Sequence, residues 1–262
     1  MKRLGVWIVL FLLVTLAVTT VNASGLNIRY VINFRHSIPA DLPVRVAAVG
    51  GQVARVLPQV GIAVAVSSNP QFAASLGRFA DIASVGPIPA FALPEGEDVS
   101  EPLADVADAP TAADNLYNAG LVWGVNRVKA PEAWAAGITG SHSTVVAVID
   151  TGIAWNHPDL APNVVFAACF TSQPTCNPYP SLSDHGTHVA GTIAAAFGGG
   201  RVVGVGPDLG LASYNTFESI PGCGTCSYSD SRWAAYLDIA DRGFDVVNMS
   251  LGSFAVFGGP GT

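Results

Sequence analysis

The sequence predicts an α/β protein: a doubly wound, mainly parallel sheet preceded by a small α+β unit of ferredoxin-like type. Three observations carry this prediction. Two continuous apolar runs, "STVVAVID" (143–150) and "FDVVNMSLGS" (244–253), read as strands buried on both faces. Helical stretches, "HGTHVAGTIAAA" and "SRWAAYLDIADRG" (231–243), alternate with them as in a parallel sheet. Ahead of residue 94 the texture changes, and "LNIRYVINF" (26–34) alternates polar and apolar residues like a half-buried strand.

Taken in order, residues 1–23 form a secretory signal. Lys2 and Arg3 give the basic start, Leu4 to Val18 the apolar core, and Val21-Asn22-Ala23 the small-residue cleavage pattern. The apolar run falls short of the roughly 20 residues that a membrane span needs. The expected location is extracellular, with no stable membrane insertion after signal cleavage. In residues 24–93, "VRVAAVGGQVARVLPQVGIAVAVSS" reads as helix, turn and strand, and "PQFAASLGRFADIASVGPI" as a second helix followed by a strand. The order is β-α-β-β-like. Residues 94–115 carry seven acids and no base, the composition of an exposed linker, which is a mere spacer or a place for proteolytic cutting. In residues 116–262, "APEAWAAG" (130–137) opens a short helix with Pro131 in its first turn.

Composition narrows the function. Half of the 262 residues are hydrophobic, 12% are charged and the net charge is −7. With no cluster of Lys and Arg to neutralise phosphates, a nucleic-acid partner is excluded. Four cysteines in an exported chain predict disulfides, most simply Cys169 with Cys176 and Cys223 with Cys226, although three pairings are open. Cys223-Gly-Thr-Cys226 lacks both the thioredoxin context and the second ligand pair that redox or zinc readings require.

Asp150 closes an apolar strand and is followed by a Thr151-Gly152 turn. A carboxylate there is costly without a partner, and sites in such sheets form at the carboxyl ends of strands. Aspartic proteases also use Asp-Thr-Gly, but they need two copies from two β halves. His185 opens the helix, where the dipole disfavours an imidazolium and a neutral ring is ready to accept a proton. Gly186, Gly191 and the alanines let that helix approach neighbouring backbone closely. His188, one turn later, invites a metal reading, but no H-E-x-x-H accompanies it.

The blocks "VVAVIDTGIAWNHPDL" (145–160), "DHGTHVAGTIAA" (184–195), "GVGP" (204–207) and "VVNMSLGS" (246–253) occur in this order. Together they resemble the successive signatures of the subtilisin-like serine proteases. "WGVNRVKAPEAWAAGITG" (123–140) is similar to the start of that family's mature domain. Residues 24–93, with Gly50-Gly51, are similar to its inhibitory propeptide. The resemblance implies that His185 is the general base, that Asp150 orients it, and that Ser250, Leu251 and Gly252 pair with an extended substrate. Polypeptide substrates and the chain's own propeptide are the implied partners.

No cofactor is needed for the implied chemistry. A structural calcium at Asp159 is implied, but "AFGGG" (196–200) offers no side-chain oxygen where the family carries an asparagine ligand. The family's Gly-Thr-Ser nucleophile motif follows well after Ser-Leu-Gly and does not occur by Thr262. The expectation is therefore a truncated precursor, inactive as it stands. The alternative is a secreted non-catalytic homologue that binds peptides or inhibits proteases; a pure binder has no use for both Asp150 and His185.

Overall fold

Strand alternation organises the N-terminal part of the computed structural model, which describes residues 27–93, 114–173 and 175–252. The signal segment and all of the linker but its last two residues lie outside the described residues. The first elements are β1 (Ile28–Phe34), α1 (Leu42–Ala48), β2 (Gly51–Leu57), β3 (Ile62–Ser67), α2 (Phe72–Leu76) and β4 (Ile82–Pro87). They form an antiparallel sheet in the order β2-β3-β1-β4. Tyr30, Ile32, Ala63 and Ala65 on one sheet face pack against Leu42, Val46, Phe72 and Leu76 of the two helices. The stretch expected to hold one strand holds two. Gly50 (φ +83°) and Gly61 (φ +66°) take left-handed conformations on either side of residues 51–57, so the chain reverses twice there.

The remaining elements are β5 (Ala90–Ala92), α3 (Asn115–Asn118), α4 (Trp123–Arg127), α5 (Ala130–Ala135), β6 (Val145–Asp150), β7 (Val164–Cys169), α6 (His185–Ala194), β8 (Gly210–Asn215), β9 (Glu218–Ile220), β10 (Gly224–Tyr228), α7 (Ser229–Arg242) and β11 (Val246–Asn248). The main sheet, β11-β6-β8-β7, is parallel at every pairing. Every residue of β6 and β8 is buried, as a strand covered on both faces requires. Val145, Ala147 and Ile149 point to Ala235 and Ile239 of α7. Val146 and Val148 point to Ala190 and Ala194 of α6. One helix on each face is the doubly wound arrangement.

β11 departs from expectation. The sequence predicts a buried strand over 244–253, whereas the structure has a three-residue edge strand with Val246 47% and Val247 39% exposed. It pairs with β6 along one side only among the described residues. A second antiparallel sheet, β5-β10-β9, ties the N-terminal part to the rest, with Cys226, Ser227 and Tyr228 opposite Ala92, Phe91 and Ala90. The cysteines pair as Cys169–Cys176 and Cys223–Cys226. Among the described residues no helix is long and apolar enough to cross a membrane.

Candidate active site

The carboxyl end of β6 meets the start of α6, and the contact is made by backbone before it is made by side chains. Gly152 turns the chain with φ +96° directly after β6. Gly186 lies so close that a Cβ there would run into the Gly152 carbonyl oxygen and the Asp150 Cβ. Thr151 stitches the two segments together: its hydroxyl donates to the Ser183 carbonyl at 2.9 Å and accepts from the Gly186 N–H at 3.0 Å. The Ser183 hydroxyl accepts the His185 N–H at 3.2 Å, which serves one of the donors left open at a helix start.

These constraints bring the two titratable side chains together. His185 Nδ1 lies 2.8 and 3.0 Å from the two Asp150 carboxylate oxygens, so Nδ1–H donates to the carboxylate. Asp150 is fully buried and also accepts the Thr151 N–H at 2.7 Å. The imidazole retains 32% of its exposure, and among the described residues nothing bonds its Nε2. A ring fixed by a carboxylate at Nδ1, with its lone pair at Nε2, can accept a proton from an incoming hydroxyl.

Sequence reasoning missed the supporting hydroxyls. Thr187 accepts the Ala154 N–H at 3.0 Å, and Ser213 on β8 accepts the Ile153 N–H at 2.9 Å. Together they hold the loop after Asp150. Thr151 and Thr187 sit inside the two signature blocks and were legible there; Ser213 carries no local signal. Ser250, Leu251 and Gly252 follow β11, whose register pairs Asn248 with Val148 and so directs the chain towards the Asp150 end of β6. Ser250 and Gly252 are exposed and Leu251 is half-buried.

His188 does not join His185. With His157, Asp159, Trp123 and Val125 it lines a separate, largely apolar cavity of about 710 Å³. Asp159 is buried. Its Oδ2 accepts the Val202 N–H at 3.3 Å, and Oδ1 has no hydrogen-bond partner. A free, buried carboxylate oxygen suits a hard cation, yet calcium takes six to eight oxygens. No group of three or more His, Cys, Asp or Glu side chains among the described residues could hold a metal. The neighbouring 198–200 loop is all glycine and offers main-chain carbonyls, and the Asp114 carboxylate lies on that loop, accepting the Gly198 N–H at 3.0 Å.

The fold and the site together define a doubly wound α/β domain with an Asp–His pair at the end of a central parallel strand. A family model described as the subtilase family matches residues 141–262. That match, over a little under half of the chain, supports a subtilisin-like serine protease family for this region. Subtilisin E of Bacillus subtilis is 42% identical over 138 residues, covering 52% of this chain and 34% of the relative. The subtilisin of Bacillus pumilus is 43% identical over 132 residues, covering 50% of this chain and 44% of the relative. The chain thus spans less than half the length of these curated relatives. Among solved structures, the epidermin leader peptide processing serine protease of Staphylococcus aureus matches 87% of this chain and 50% of its own, at 19% identity and a TM-score of 0.62. That likeness concerns the fold.

Proposed function

We propose that the chain is part of a secreted precursor of a serine endopeptidase that hydrolyses polypeptides through an acyl-enzyme. The observation that carries this reading is the Nδ1 bond of His185 to the buried Asp150 carboxylate, which leaves Nε2 as the proton acceptor. In the Ser-His-Asp scheme, Nε2 takes the proton of a serine hydroxyl as its oxygen adds to the scissile carbonyl. The imidazolium returns that proton to the leaving amine as the peptide C–N bond breaks. Asp150 remains ionised throughout, holding the ring and stabilising its charged form. Water then releases the acyl group by the same proton path. Substrate lies extended against Ser250, Leu251 and Gly252.

In this reading residues 1–23 are the signal, 24–93 the inhibitory propeptide, 94–115 the linker and 116–262 the N-terminal part of the catalytic domain. The β-α-β-β-α-β order of the first unit and the addition of β5 to β10 support the propeptide assignment. The basic and apolar N-terminus and two disulfides support export. No Gly-Thr-Ser motif occurs in residues 1–262.

Sequencing the source transcript past codon 262 is the direct test. An open frame encoding a later Gly-Thr-Ser motif supports the protease; a stop codon there removes the enzyme reading for this product. In the full product, Asp150→Asn lowers kcat by about 10⁴-fold, since the ring loses its tautomeric guide. A structural calcium at Asp159 belongs to the same reading, supported by the unpartnered Oδ1. Chelation with EDTA is then expected to lower the melting temperature of the wild type and to leave Asp159→Asn unchanged. Equal melting curves with and without chelator would remove the metal.

A further inference from the structure

The N-terminal sheet has one face under α1 and α2; the other carries two arginines that reach the start of α7. Cross-strand partners share a face, so Arg29 opposite Val66 and Val31 opposite Val64 lie on that second face. Arg55 joins them through an irregularity. The β2–β3 register shifts between Val53 and Arg55, leaving Ala54 as the extra residue and placing Arg55 opposite Val64. Without that bulge Arg55 would face Ala63 and the apolar core. Bulges re-aim side chains in this way.

Both guanidinium groups converge on the first turn of α7. Arg29 grips the Asp230 carboxylate with Nε at 3.2 Å and Nη2 at 2.6 Å, and lies over the Tyr228 ring at 4.9 Å. Arg55 donates to the Asp230 carbonyl and to the Thr171 carbonyl, each at 2.8 Å, with the Asp230 carboxylate 3.7 Å away. Asp230 is fully buried and Arg29 is 7% exposed. Burial pushes the Arg55 guanidinium below its ordinary range, an effect that Asp230 and Glu218 oppose. No catalytic step uses this cluster.

We infer that Asp230 is a docking site for paired arginines, and that it selects this chain's own N-terminal unit from other polypeptides able to add a strand to β10. The inference rests on the propeptide reading. Strand addition alone discriminates poorly, because its hydrogen bonds are main-chain bonds that any extended peptide can make. β5 contributes only three paired residues. A peptide copying β5 brings no arginine to Asp230, whereas the sheet face brings two at fixed spacing. Bidentate arginine–carboxylate geometry adds specificity that a lysine would not reproduce.

The test uses the full chain with a site for a sequence-specific protease placed within residues 100–105. After cutting, the affinity between the two pieces is measured by titration, with circular dichroism of each piece to check folding. Wild-type pieces are expected to stay together at micromolar concentration, and a synthetic peptide of residues 86–93 is expected not to displace the N-terminal piece. Breaking the buried pair by Asp230→Asn is expected to weaken association by at least about 100-fold. The double variant Arg29→Gln with Arg55→Gln, altered on the opposite unit, is expected to weaken it to the same degree and decides the matter if Asp230→Asn misfolds. Association unchanged within about threefold in either folded variant, or displacement by the peptide, overturns the arginine site alone. Wild-type pieces that separate freely overturn the propeptide reading with it.

Discussion

Two glycines on α6 look alike in sequence and differ in what they permit. A methyl group at Gly186 would meet the Gly152 carbonyl and Asp150, whereas nothing lies within 4 Å of a Cβ at Gly191. Gly186→Ala is therefore expected to cost about 1–3 kcal/mol through overpacking and to disturb the Asp150–His185 bond. Gly191→Ala is expected to stabilise by up to ~1 kcal/mol through helix propensity. Urea unfolding of both variants decides; equal effects would contradict the close approach. Tyr214 makes a second case. It is fully buried, and its hydroxyl donates to Asp238 at 2.7 Å. Burial first, then the bond and charge of Asp238, hold its phenol well above the usual range, with Arg242 opposing. The fold thus favours the neutral phenol. Its contribution is fully present below pH ~10, where a free phenol ionises, and is lost as pH rises through the elevated folded value. Tyr214→Phe is expected to lower neutral stability by about 1 kcal/mol and to flatten the alkaline decline in a pH series of unfolding curves.

At the scale of elements, β6 and β11 were read alike from their apolar residues and proved different. Among the described residues, β6 has a strand on each side and a helix on each face, while β11 has β6 on one side and two exposed valines. Periodicity reports which residues avoid water, not how many neighbours a strand obtains. Hydrogen exchange is expected to be slow at Val146–Ile149 and faster at Val246–Asn248, because the opening energy of an edge is smaller. Matching protection would mean that β11 is covered in solution. The helices were more legible: α6 and α7 fall where Ala190/Ala194 and Ala235/Ile239 place apolar residues one turn apart. α7 begins two residues ahead of the predicted start, which puts Asp230 in its first turn, where a carboxylate complements the helix dipole.

For the whole molecule, the consequence of the interface is cooperativity. The β5–β10 pairing and the Arg29–Asp230 contact join the N-terminal sheet to α7, and separating them would expose a buried charge on each side. A single heat-capacity transition is expected for the intact chain, because the strand pairing and the ion pair couple the two sides. Two resolved transitions would show that the units unfold independently and that the interface adds little.

The ordered signature blocks, Asp150 and His185 as candidate residues, the four cysteines, and the alternation of strands and helices were legible in the sequence, which left three cysteine pairings open. These depend on short motifs and local periodicity, which a linear reading captures. Folding in three dimensions alone reveals that β11 is an edge strand among the described residues, that Thr151, Thr187 and Ser213 fasten the loop after Asp150, that His188 lines a cavity His185 does not join, and that a bulge turns Arg55 towards Asp230. Each of these is a contact between segments far apart in the chain, up to 201 positions for Arg29 and Asp230. No local pattern encodes such a meeting; it arises when burial of one sheet face brings particular side chains together.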